Sequence, residues 1–164
     1  MYSIGDKVVH PMHGAGTIKE MKKIELGGVK RDYYVVCFAV GNMISDVPVE
    51  GCEKIGIREV ISKGEAKKVL EYFHECDIGE DENWNKRQRD NIVKLKSGDL
   101  YQVAGVLKEL MYREKRKGLS TSERKTLGSA RQIVLSELIL SGVAEESDIE
   151  LILEETVAQL ISSD

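Results

Sequence analysis

Several things are scarce or missing in this 164-residue chain, and each absence narrows what it can be. No apolar run approaches the roughly 20 residues that a membrane-spanning helix needs. The opening "MYSIGDKVVH" has neither the basic n-region nor the apolar h-region of a secretory signal, so a cytoplasmic location is expected. The three cysteines, Cys37, Cys52 and Cys76, are odd in number and widely spaced, and they form no CxxC pair. They read as reduced thiols rather than a disulfide framework. Catalytic signatures are lacking as well. "GAG" stands outside the strand–turn–helix context of a dinucleotide loop, no phosphate-loop lysine follows a glycine-rich turn, and no serine or cysteine nucleophile motif occurs. His10 and His13 have no third ligand near in sequence to complete a metal set, and His74 falls on a helical stretch. The chain therefore reads as non-enzymatic, with no metal and no cofactor.

Charge is plentiful and segregated, which the net value of −4 conceals. Residues 65–83 carry 2 basic and 7 acidic side chains, while residues 84–131 carry 13 basic and 5 acidic, a net +8. Residues 132–164 carry 8 acidic side chains and no basic one. A strongly basic block inside an acidic protein is the footprint expected of a polyanion-binding face.

Two grammars follow one another along the chain. Up to about residue 60, short β-prone runs ("KVVH", "GTIKEMKKIEL", "DYYVVCFAV", "MISDVPVE") alternate with turn-forming "PMHGAG", "GGVKR" and "VGN". Gly27–Gly28 is a hairpin turn, and Pro48 marks a sheet edge or a strand end. From residue 62 the signals are helical. Ser62–Glu65, Ser120–Glu123 and Ser147–Glu150 match the capping box, and Asp99 with Gln102 is a looser version. Gly98, Gly118 and Gly142 stand where helices stop. Helices are predicted over 63–75, 84–96, 99–117, 121–141 and 147–161. Strands followed by helices argue an α+β chain of two domains, 1–60 and 61–164.

The single tryptophan, Trp84, opens the basic block. Asn83 is a good N-cap, so Trp84 is expected in the first helical turn, with Lys86, Arg87 and Arg89 close behind. Two roles fit it. It packs as a lone aromatic at a helix start, or it is an apolar wedge beside phosphate-binding cations, as in minor-groove proteins that pry base steps apart. Arg124 and Lys125 add a local conflict, because cations early in a helix oppose the macrodipole unless an anion joins them.

"VVHPMHGAGTI", "YYVVCFAVGNMISDVPVEGCEKIGIREV", "NWNKRQRDNIVKLKSGD" and "KGLSTSERKTLGSARQIVLSEL", in this order, resemble the CarD/CdnL family of bacterial transcription regulators over nearly the whole chain. The resemblance implies a small Tudor-like (SH3-like) antiparallel β domain that binds the β subunit of RNA polymerase, followed by an all-α domain. That helical domain is implied to contact promoter DNA at the upstream edge of the transcription bubble. There the family's tryptophan, here Trp84, wedges into the minor groove and stabilises the open complex. Arg89 and Arg124 fall on DNA-contacting basic positions, with Lys86, Arg87 and Lys125 beside them. On the polymerase side, Asp46 stands where relatives carry a basic residue just before Val47–Pro48, and a second basic position falls on Ile24. Lys22 and Lys23 are the cations at hand to compensate, and an exposed strand edge supplies backbone hydrogen bonds. The rival readings are a protein-interaction module without a DNA wedge and an enzyme with a cryptic site.

Overall fold

Valine, isoleucine and tyrosine recur through the first third of the chain, and such side chains suit the pleated, half-buried surface of a sheet. In the computed structural model, which describes residues 1–79 and 83–163, they build β1 (Lys7–His10), β2 (Gly14–Leu26), β3 (Val29–Phe38) and β4 (Ile44–Pro48). A two-residue β5 (Arg58–Glu59) completes an antiparallel sheet in the order β4-β3-β2-β1-β5. Alternate residues Tyr34, Val36 and Phe38 of β3 pack with Val8, Ile18, Val47 and Ile57. A register shift between Ile18 and Glu20 disrupts the β2–β3 ladder and bends β2, the deformation that lets a small sheet curl around such a core. This is the Tudor-like β domain that the sequence implies.

The β2–β3 hairpin outruns its neighbours. β1 pairs with β2 only over Gly14–Thr17, and β4 pairs with β3 only over Tyr33–Cys37. The remainder is a two-stranded ribbon closed by Gly27–Gly28, whose φ angles of 59° and 79° are the left-handed pair a two-residue hairpin turn requires. Two short elements are not anticipated in the sequence. α1 (Cys52–Ile55) lies between left-handed Gly51 and Gly56, too short to display helical periodicity. β5 exists because β1 offers it a partner, not because of its own propensity.

The helices α2 (Lys63–Glu75), α3 (Trp84–Leu95), α4 (Leu100–Arg116), α5 (Thr121–Ser141) and α6 (Glu146–Ser162) closely follow the predicted spans. Oxygens of Ser62, Asp99 and Ser120 accept the backbone N–H of Glu65, Tyr101 and Glu123, as the capping patterns require. The Ser147–Glu150 box is a correction. α6 begins one residue earlier, after Glu145, with no side-chain cap. Ser147 thus sits inside the first turn, where Glu146 and Asp148 complement the positive end of the helix dipole. Leu107, Leu110, Leu138, Ile149, Leu153 and Val157 fill a common core among α4, α5 and α6. No helix among the described residues is long and apolar enough to cross a membrane.

α5 belongs to both halves of the molecule. Residues Ile133 to Leu138 are buried without a break, so this stretch has no solvent face. Its outer side meets β2: the Ser136 hydroxyl accepts the Ala15 N–H at 2.8 Å, and Gln132 Nε2 donates to the His13 carbonyl at 3.0 Å. Gly14 (φ 87°) permits the approach, because a Cβ there would run into Ser136 and the Gln132 backbone. Arg58 makes a two-pronged ion pair with the fully buried Glu137, both contacts at 2.7 Å, and Glu137 also accepts the Ile61 N–H at 3.0 Å. The hydrogen bond to Glu137, opposed by burial, holds the Arg58 pKa above its usual value.

Candidate functional site

Asn83 starts α3 by accepting the Lys86 N–H on its side-chain oxygen at 3.2 Å, which makes Trp84 the first helical residue. Trp84 remains 42 % exposed, although it is anchored. Its indole N–H donates to Glu123 Oε1 at 3.0 Å, and the Arg87 Nε–H donates to the other carboxylate oxygen at 3.2 Å. Gln88 Nε2 adds a contact to Thr126 Oγ1 at 3.3 Å. The first turns of α3 and α5 are thus clamped together, and Glu123 is the centre of the clamp. The sequence reads Glu123 as half of a capping box. Ser120 does cap its amide and lies 3.4 Å from Oε1 through its hydroxyl, but the shorter bonds to the carboxylate come from the indole and the guanidinium.

The cations of the basic block divide into two sets. Arg87 turns inward, with a side chain only 11 % exposed, and neutralises Glu123. Lys108 is buried and holds the carbonyls of His74 and Cys76 at the end of α2, at 3.0 and 2.6 Å. Lys115 pairs with Glu154 of α6 at 2.9 Å, and Arg131 lies 3.6 Å from the same carboxylate. Arg113 pairs with Glu109, and Arg116 bonds the Tyr112 hydroxyl. Much of the +8 block is therefore structural, and two of its cations, Lys115 and Arg131, are matched by a carboxylate of α6 that a count along the chain assigns elsewhere. The outward set is smaller. Lys86, Arg89, Arg124 and Lys125 are exposed, and the last three have no ion pair among the described residues. Arg89 lines a shallow open groove with Asn83, Trp84, Asn85 and Gln88. The exposed indole thus shares a groove with Arg89 and is bonded to the turn of α5 in which exposed Arg124 and Lys125 follow Glu123. The acids Glu80, Asp81 and Glu82 that precede it in sequence lie outside the described residues.

On the β domain, Lys22 and Asp46 form an ion pair at 2.9 Å across the sheet surface. Lys23 is exposed and Ile24 half-buried on the β2–β3 ribbon. Val47 is a core residue of edge strand β4, 3 % exposed, so it is not itself available to a partner. His10 and His13 stack with ring centroids 4.6 Å apart, and His10 Nδ1 accepts the Met12 N–H. Burial, and then the neighbouring His13, lower the His10 pKa from its usual 6.5. No group of three or more metal-ligating side chains occurs among the described residues, and the three thiols are unpaired.

Residues 2–61 match the family of the CarD-like/TRCF RID domain, and residues 68–154 match the C-terminal domain of CarD. Among curated proteins, the chain is 33 % identical over 147 residues to YdeB of Bacillus subtilis (strain 168), a candidate transcription factor by its name. That similarity covers 89 % of this chain and 96 % of the relative. An RNA polymerase-interacting β domain therefore precedes a CarD-type helical domain, and the chain belongs to the CarD family of transcription regulators.

Proposed function

We propose that this regulator binds the β subunit of RNA polymerase through its β domain and stabilises the open promoter complex through Trp84. The observation that carries the reading is the half-exposed indole at the start of α3, beside Arg89 in one open groove and bonded to Glu123 in the turn of α5 that also carries exposed Arg124 and Lys125. The indole enters the minor groove at the upstream bubble edge and fills the gap beside an unstacked step. Lys86, Arg89, Arg124 and Lys125 hold the flanking phosphates, a contact that is independent of sequence and sensitive to salt. With so few outward cations on a net-acidic protein, affinity for free DNA is weak. Tethering to polymerase compensates by raising the local concentration of this face, to about millimolar for a short connection. The wedge favours melted over closed DNA only because it binds the melted form better. For polymerase, the β4 edge and the ribbon bearing Lys22, Lys23 and Ile24 are the available surfaces, with the Lys22–Asp46 pair giving them little net charge.

The test is open-complex half-life after competitor challenge, with wild-type protein and with Trp84→Ala. The substitution is expected to remove most of the added lifetime while co-purification with polymerase is unchanged. Equal half-lives would refute the wedge. The bond from Trp84 to Glu123 favours a second reading, in which the indole is simply a tie between α3 and α5. On that reading, thermal stability falls in Trp84→Ala and open-complex half-life does not.

A further inference from the structure

Glu123 is 3 % exposed, and a carboxylate is seldom so buried unless it is paired. Of its three side-chain donors, Arg87 supplies charge, while the Trp84 N–H and, more distantly at 3.4 Å, the Ser120 hydroxyl supply none. An indole has a single donor and no acceptor, so this bond uses all of its hydrogen-bonding capacity. It also sets the ring's orientation, because the edge bearing Nε1 must face Glu123 of α5.

We propose that Glu123 is a positioning residue that holds Trp84 in one presented orientation and withdraws the indole N–H from the DNA. The inference rests on the wedge reading above. Given that reading, the ring meets the minor groove as apolar surface alone, with no N–H for the purine N3 or pyrimidine O2 acceptors there. The wedge then responds to how readily a step unstacks, not to which base occupies it. Arg87 completes the arrangement by compensating the buried carboxylate, which leaves the outward cations for phosphate.

Trp84 is the only tryptophan, so fluorescence of the full chain excited beyond the tyrosine absorption band reports this ring alone. Glu123→Ala removes the acceptor, whereas Glu123→Gln keeps a carbonyl oxygen that accepts the N–H. Time-resolved anisotropy is expected to show wider ring motion in Glu123→Ala and near-wild-type restriction in Glu123→Gln. Open-complex half-life should follow the same order, with a several-fold loss in the alanine variant. Should that variant not fold, Glu123→Leu, which keeps apolar volume without an acceptor, carries the same expectation. Unchanged anisotropy in the acceptor-free variants overturns the positioning role. A promoter carrying 3-deazaadenine at the bubble edge lacks an N3 acceptor and should gain as much lifetime from the wild-type protein as the normal promoter. A several-fold smaller gain overturns the withdrawal of the N–H. If Trp84→Ala alone leaves half-life unchanged, the wedge reading fails by itself, and the anisotropy still decides whether Glu123 holds the ring.

Discussion

α5 carries a buried carboxylate near each end, and the two are used in different ways. Glu137 receives both prongs of Arg58 at 2.7 Å and the Ile61 N–H at 3.0 Å, closing the joint between the β domain and the helices. Glu123, about 21 Å along the axis at 1.5 Å per residue, receives one nitrogen of Arg87 and one of Trp84, at 3.2 and 3.0 Å, with the Ser120 hydroxyl farther off at 3.4 Å. The first joint has everything inside: Glu137 is wholly buried, and its partners belong to the interdomain seam. The second is buried at its centre and open at its rim, because the indole it holds is 42 % exposed. The same chemistry, a carboxylate shared by a guanidinium and an N–H, serves cohesion at one end and presentation at the other. The difference lies in geometry, since a bidentate pair fixes two elements rigidly, while two single bonds fix one ring and leave its far surface available.

Arg58→Ala tests the cohesive end and should have the largest effect. It strands a buried carboxylate, which costs about 3–5 kcal/mol in such sites, somewhat less here because Arg58 is 35 % exposed. The drop should appear in denaturant midpoint, with Trp84 fluorescence in the folded state unchanged. A change of under about 1 kcal/mol would mean that the seam is held by packing against Gly14 and not by the ion pair. Arg87→Ala tests the presenting end. Glu123 would lose one 3.2 Å bond where Glu137 loses two at 2.7 Å, and would keep both the indole N–H and the Ser120 hydroxyl, so a smaller loss of about 1–3 kcal/mol is expected, together with a shifted Trp84 emission. If both variants lost the same stability and both altered the fluorescence, the two ends of α5 would be one cooperative unit, and the contrast drawn between them would collapse.

What the sequence discloses about these joints depends on how local their signals are. Asn83 announces the start of α3 because a cap is written within three residues, so the position of Trp84 is legible. Helix spans and the Gly27–Gly28 turn are legible for the same reason. Glu123 has its cap partner three residues away, but Trp84 and Arg87 lie 39 and 36 residues away, and nothing local distinguishes those uses. Arg87 is read with Lys86 and Arg89 as an outward cation, yet its place on the helix aims it at α5. Charge counting fails similarly for Lys115 and Arg131, whose counter-charges come from the acidic α6. The domain seam is hidden too, because Gly14, Ser136, Arg58 and Glu137 acquire meaning only when β2 and α5 meet. Val47 shows the reverse limit, since a position taken from a family pattern does not reveal which way its side chain points.

The smallest expected effect is a pH dependence confined to the cohesive end. His10 stacks on His13, whose carbonyl is bonded by Gln132 of α5, so its titration is felt at the seam. Burial, then His13, depress its pKa below 6.5 in the folded state. The unfolded chain therefore takes up this proton first as pH falls, and stability must decline from about pH 7 downward until the folded-state pKa is passed. Protonation also removes the Nδ1 lone pair that accepts the Met12 N–H. Denaturant midpoints measured between about pH 7 and pH 5 should fall slightly, and His10→Asn should flatten that slope. Trp84 emission should stay constant over the same range, because no histidine contacts the α3–α5 clamp. A parallel change in emission would show that protonating the seam is transmitted along α5 to the indole, and the two ends could no longer be treated as separate joints.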